Sequence, residues 1–409
     1  MGKVKTVLMM ASLILMVQVL VLGNPFTHQA LAENVIKFGS VGPLSGQVAA
    51  WGIPGDRAIR LLADEINVKG GLKVGGKTYK FEIVSADDKF TADGARSAAL
   101  KLVERDKVKY AVGGIFKFET FSLMTVFESA GVIHFHNGWG DELVRPDAPH
   151  SFRCTVTPQE FTAAIHLALL EIYPKVKRWA FVGMDEPGTK EVSAQMRSFM
   201  PGLGLEVAAD EYFPPDAVDF TSLVTKVLRT QADGIAVSGA TPTQDGLICK
   251  QARLKGFTGP IMHPAPLSAR DIIASAGKEA AEGFLTYGPV EFGPLAEPKM
   301  KAFQEKYLKK YGSGDSGSLN ISYSFEIIVE AMKAANSVDV DKVLHVLQAG
   351  GPFETTVGPA YIAGKEIFGI NNQVFQSCAL SVIKNGEFVP IKKITGKEQL
   401  DLTLKYYKK

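Results

Sequence analysis

The spacing of apolar positions changes between Val35 and Gly71. A buried strand reads from Ile36 to Val41, a Gly/Pro/Ser-rich turn from Gly42 to Gly46, and then a helix with Ile59, Leu62 and Ile66 on one face. Gly70 and Gly71 mark the end of that helix. A strand that opens into a glycine-rich loop and a helix N-terminus presents free backbone N–H groups and a positive dipole end, which suits a small anionic or polar ligand.

The same alternation continues along the chain. It predicts strands at Thr78–Ser85, Tyr110–Gly113 and Val132–His136, separated by helices at Ala92–Glu104 and Glu119–Ser129. A second series follows, with strands at Arg178–Val182, Leu205–Tyr212, Gly234–Val237 and Pro260–His263. Its helices fall at Gln159–Ile172, Lys190–Met200, Ser222–Thr230 and Thr243–Leu254. Strands alternating with amphipathic helices are the signature of βαβ units on a parallel sheet. Three helical segments lie between Lys299 and Leu347, and strand-like runs return at Gln373–Ile383 and Glu387–Ile391, the latter two joined by the hairpin dipeptide Asn385-Gly386. Tyr311–Gly317 reads as a surface loop.

At 409 residues with 46% apolar content the chain exceeds what one core holds, so two α/β lobes are expected. The first residues carry Lys3 and Lys5, an apolar run from Val7 to Gly23, and Ala30-Leu31-Ala32, an A-x-A pattern that sets cleavage after Ala32. Residues 1–32 are therefore read as a signal peptide and the mature chain as exported; an uncleaved anchor is the alternative, although the run is marginal as a span. With 45 basic and 43 acidic residues the formal charge is +2, and Lys3 and Lys5 account for that excess, so no field draws the mature chain to nucleic acid or an anionic membrane. Cys154, Cys249 and Cys378 show no zinc or redox spacing. An oxidising compartment permits one disulfide among them, and three buried thiols fit the sequence equally well.

Several motifs together resemble the branched-chain amino-acid-binding periplasmic proteins of ATP-driven importers. They are the opening strand, Gly42-Pro43-Leu44-Ser45-Gly46 with a following aromatic, Ala58-Ile59-Arg60-Leu61-Leu62-Ala63-Asp64-Glu65-Ile66-Asn67, Ser85-Ala86-Asp87-Asp88-Lys89, and Ala111-Val112-Gly113-Gly114. The resemblance runs from about Ile36 to Ile383. It implies an α/β fold of two Rossmann-like lobes with parallel sheets, joined by three crossovers and closing on a ligand in the cleft. Lobe one would be residues 33–152 plus 285–353, and lobe two residues 153–284 plus 354–409.

The resemblance also nominates ligand-binding residues. Trp51 falls where the family places an aromatic over the ligand's apolar end; packing beneath its own loop is the alternative. Phe118, Glu119 and Thr120 fall in the loop that holds a ligand carboxylate, with Glu119 where a serine is usual; that acid either faces the cleft or caps its own helix. Asn137, Gly138 and Trp139 follow the next strand, where glycines permit close backbone approach. His134 and His136 read as structural rather than metal-binding. In lobe two Asp185 (or its neighbour Glu186) and Thr241 occupy contact loops. The family's tyrosine there is missing, and His263-Pro264-Ala265-Pro266 lacks the acid that would receive an ammonium group.

These readings imply a monomeric periplasmic solute-binding protein that captures an amino acid or a related small carboxylate or amide and delivers it to a membrane permease. No cofactor, metal or nucleic acid is called for. An extracytoplasmic sensor of the same fold is one alternative. An enzyme is another, but no P-loop, H-E-x-x-H, G-x-S-x-G or dinucleotide G-x-G-x-x-G pattern is found, and no catalytic residue is nominated.

Overall fold

The computed structural model describes residues 34–46, 48–155, 157–265, 267–289, 295–312 and 319–406. The stretch read from sequence as a signal peptide, with its expected cleavage point, and most of the Tyr311–Gly317 stretch read as a loop lie outside the described residues.

The first strands are β1 (Asn34–Gly42), β2 (Leu72–Val74), β3 (Lys77–Asp87), β4 (Tyr110–Gly113), β5 (Ile133–His136) and β6 (Ser151–Arg153). Next come β7 (Arg178–Met184), β8 (Glu206–Phe213), β9 (Gly234–Ser238), β10 (Ile261–His263) and β11 (Phe284–Pro289). The last are β12 (Phe353–Thr355), β13 (Gly358–Ala363), β14 (Gln373–Phe375), β15 (Cys378–Lys384) and β16 (Glu387–Ile394). Among the described residues they form a nine-stranded sheet, ordered β12-β13-β14-β6-β5-β4-β1-β3-β2, and a seven-stranded sheet, ordered β16-β15-β11-β10-β9-β7-β8. Both are mostly parallel, with antiparallel strands toward their edges.

Each sheet has its own core, which is the two-lobe α/β arrangement the sequence implies. Phe325, from the helix Leu319–Ala334, meets Phe38 of β1 and Phe81 of β3 edge-on at 4.9 and 5.1 Å. Fully burying such a ring contributes roughly 1.5–3 kcal/mol. Helices Pro298–Tyr311 and Val340–Gln348 join the same core, so all three late helices belong to the first lobe. The second lobe builds one core around Val182, Ile235 and Phe284, and another around Trp179 and Phe161. The three cysteines are buried, and no disulfide joins them.

The chain passes between the sheets after β6, after β11 and after β14. The second and third crossings, expected near 285 and 353, are thereby displaced to beyond Pro289 and Phe375. Gln373–Ile383, read as one strand, is two: β14 pairs with β6 and β13, while β15 pairs with β11 and β16 in the other sheet. The break falls at buried, polar Gln376 and Ser377, and an apolar run on either side carries no record of which sheet it joins. The Asn385-Gly386 hairpin forms as expected, with positive φ at both residues (56° and 95°) and Lys384 opposite Glu387.

Strand order fixes where a ligand can sit. In the first sheet the order reverses between β1 and β4, and in the second between β7 and β9. Crevices at such reversals, outside the carboxyl ends of the strands, are where open α/β sheets bind ligands.

Candidate functional site

A cavity of about 70 Å³ lies where those two crevices meet. From the first lobe it is lined by Trp51 after β1, Ile115 to Lys117 after β4, Asn137 and Trp139 after β5, Thr155 after β6, and Ile321. From the second it receives Glu186 and Thr189 after β7, Gly239 after β9, His263 to Ala265 at the end of β10, and Tyr287 and Gly288 of β11. The wall is mostly apolar with a few polar groups, as small-solute pockets are.

Trp51 stands in the first turn of the helix Ala49–Val68. Its indole packs against the second lobe's core, and its buried Nε1 has no hydrogen-bond partner among the described residues. The Gly42–Gly46 turn that precedes it does not itself line the cavity. Ser45 Oγ and Leu44 N–H instead donate to Asp87 at 2.6 and 3.0 Å, and Gly52 lies so close that a Cβ there would meet Pro43 O at 2.3 Å. The turn is thus a tied support that aims Trp51.

Glu119 is fully buried, and its Oε1 accepts from the backbone N–H groups of Ile115 and Phe116, the latter at 2.9 Å. The acid caps its own helix and stays out of the cavity wall. Its Oε2 and Asp88 Oδ2 are buried without a hydrogen-bond partner among the described residues. Burial, and next the charge of Asp88, push Glu119 well above the usual carboxylate range; burial likewise raises Asp88, assisted by Asp87.

Phe118 and Thr120 also stand behind the wall. Phe118 joins Phe90 (5.2 Å, edge-on) and Phe116 (6.4 Å, stacked), and Thr120 Oγ1 lies where side chains on Gly114 or Gly138 would sit. Gly138 is needed there, because a Cβ would come within 2.4 Å of that hydroxyl. Asn137 and Trp139 do reach the cavity. The backbone N–H of Asn137 donates to Gly114 O at 2.8 Å, its buried side-chain Oδ1 has no partner among the described residues, and Trp139 Nε1 donates to Thr155 Oγ1 at 2.9 Å.

In the second lobe Asp185 points to solvent, 55% exposed, and pairs with Lys190. Thr241 N-caps the helix Pro242–Leu254 by accepting from Gln244 N–H at 3.3 Å; neither residue lines the cavity. Glu186 does, and its carboxylate caps the helix Pro187–Phe199 by accepting from Gly188 and Thr189 N–H at 2.9 and 2.8 Å. His263 Nδ1 is 2.8 Å from Oδ2 of the fully buried Asp245, so the ring is fixed with Nε2 as its remaining polar atom. Burial raises Asp245, and the charge of His263 and its hydrogen bond oppose that rise. Asp245 carried no sequence signal, being one helical acid among many.

The lobes meet across the cavity mouth. Lys117 Nζ contacts Glu142 of its own lobe and Glu191 of the other, and Glu191 Oε1 accepts from Asp141 N–H at 3.3 Å. Burial lowers the Lys117 pKa, but the two carboxylates outweigh that and hold it above its ordinary value. His134 and His136 are buried behind the wall, His134 Nε2 lying 2.9 Å from Gly113 O. Among the described residues no group of three or more His, Cys, Asp or Glu is placed to hold a metal.

The family profile described as periplasmic binding protein matches residues 35–387. The chain belongs to that family. This binding protein is 25% identical over 335 residues to the leucine-, isoleucine-, valine-, threonine- and alanine-binding protein of Pseudomonas aeruginosa, covering 81% of this chain and 87% of the other. It is 27% identical to an amino acid binding protein of the same organism over 337 residues, covering 81% and 86%. In fold it is similar to a branched-chain amino acid transporter substrate binding protein from Streptococcus pneumoniae solved with isoleucine, with a TM-score of 0.75, 22% identity and coverage of 88% and 100%. It is likewise similar to a Rhodopseudomonas palustris solute binding protein solved with benzoate, with a TM-score of 0.73, 19% identity and coverage of 88% and 96%.

Proposed function

We propose that this chain is the exported solute receptor of an ATP-driven importer, closing its two lobes over one small molecule and presenting it to a membrane permease. The observation that carries this reading is the cavity itself, bounded by strand-end loops of both sheets. Trp51, Asn137 and Trp139 would be its first-lobe contacts, with Thr189 and His263 opposite. Apolar walls around a few polar atoms suit an amino acid or a related small carboxylate or amide, and the similar proteins solved with isoleucine and benzoate support an apolar body with a polar head. A signal peptide ending at Ala32, a periplasmic location and a monomeric state belong to the same proposal.

Capture needs no chemical step. The Asp245–His263 pair has the geometry of an oriented base, but no side-chain hydroxyl or thiol is recorded at hydrogen-bonding distance from Nε2 among the described residues, so it lacks a nucleophile. The test is a thermal-shift screen of the mature protein against amino acids, aromatic and aliphatic acids, and amides, since a ligand of the folded state raises the melting temperature. A hit recovered unchanged after incubation supports capture; its conversion to product would overturn the non-enzymatic reading.

A further inference from the structure

Resting on the solute-binding reading, the polar atoms of the cavity narrow its ligand. We propose that the head group it recognises is an uncharged carboxamide on an apolar body, in preference to a carboxylate or an α-amino acid.

The case begins with groups already spent. An external carboxylate would seek the helix N-termini at the wall, but Glu119 occupies the N–H groups of Ile115 and Phe116, and Glu186 those of Gly188 and Thr189. Lys117, the cation in the wall, is matched by Glu142 and Glu191. An ammonium group fares no better: Glu186 is turned to its own helix, and Asp245 stands behind His263. Either charged head would be desolvated without a dedicated partner.

Three polar groups of the lining keep an atom with no recorded protein partner among the described residues. Trp51 Nε1 is a donor only, buried and unpartnered among the described residues. Asn137, 8% exposed, carries an amide whose Oδ1 is unpartnered among the described residues and whose NH2 can donate. His263 Nδ1 is tied to Asp245, which leaves Nε2 as the ring nitrogen for a ligand, donor or acceptor according to the tautomer. An indole N–H that only donates, beside an amide and an imidazole that can each donate or accept, complements a primary amide, whose NH2 donates and whose carbonyl accepts. The apolar remainder of the wall, including Ile115, Phe116, Ile321 and Trp139, receives the body.

The test is calorimetric and thermal-shift titration of the mature protein with solutes that share a body: isovaleramide, isovalerate and leucine, then benzamide and benzoate. The amide of each set is expected to bind at least tenfold more tightly than its charged counterparts. Trp51→Phe, which keeps a ring and removes the N–H, is expected to weaken the amide about fivefold without lowering the melting temperature of the free protein. Tighter binding of an acid or amino acid than of its amide overturns this inference and leaves solute capture intact. Failure of every amide, or an unchanged affinity in Trp51→Phe, also overturns it. Failure of all five solutes and of the wider screen overturns the capture reading as well.

Discussion

Each lobe places a fully buried acid just behind the cavity wall, and the two acids do opposite things. In the first lobe Glu119 neighbours Asp88, burial and then that neighbouring charge favour its protonated form, and Glu119 fastens the N-terminus of its own helix. In the second, Asp245 faces His263 and acts through it on the cavity. One acid is therefore structural, and the other positions a side chain that can meet a ligand. A buried carboxyl beside a binding site is informative only through its partner: acid against acid stores a proton, whereas acid against imidazole orients a hydrogen bond.

Removing one acid separates the roles most strongly. Asp245→Ala leaves His263 buried without its acceptor and should destabilise the fold by about 3 kcal/mol in urea titrations, whereas Asp245→Asn should keep most stability and lose ligand affinity. Equal ligand binding by Asp245→Asn and the parent protein would show that His263 is not oriented for the cavity. The opposing wall is probed by Trp51→Ala, expected to weaken the ligand by about 1–3 kcal/mol through lost apolar burial; unchanged affinity would remove Trp51 from the site.

A smaller effect tests the proton on Glu119. The folded state holds a proton on Glu119 that the unfolded chain releases above the ordinary glutamate value of 4.5, so this pair's contribution falls as pH rises from there through neutrality. Glu119→Gln carries that proton's hydrogen permanently and should flatten the dependence, adding roughly 1–2 kcal/mol at pH 8 in denaturant titrations. A pH profile identical to the parent protein's would place the proton elsewhere. The weakest effect is expected at the mouth. Glu191→Gln removes a partly exposed cross-lobe ion pair and should cost about 0.5–1 kcal/mol of ligand affinity, chiefly as faster release. If release rates match, Glu191 does not help hold the lobes together.

The first lobe was more legible than the second. Its opening strand, turn and helix, and the strands Tyr110–Gly113 and Ile133–His136, follow from hydrophobic period and glycine punctuation, which are local properties. Trp51, Asn137 and Trp139, nominated through the family resemblance, stand on loops that follow those strands directly and line the cavity. Phe118 and Thr120 share such a loop but turn behind the wall, a matter of helix phase that spacing alone does not fix. In the second lobe, Asp185 and Thr241 were drawn from the right loops, while the cavity is reached by their neighbours Glu186 and Gly239. His263 was noticed for the acid it lacks, and that acid, Asp245, stands eighteen positions earlier on another element. Pairings of that kind, like the division of residues 373–383 between two sheets, are decided by tertiary contacts that no local pattern records.

The central claim is that a single solute is held between the two sheets' strand ends. A crystal structure of the mature protein with its best thermal-shift ligand tests it directly. The account requires ligand density in contact with Trp51 and Asn137 on one side and His263 on the other; density confined to one lobe's outer surface would contradict it.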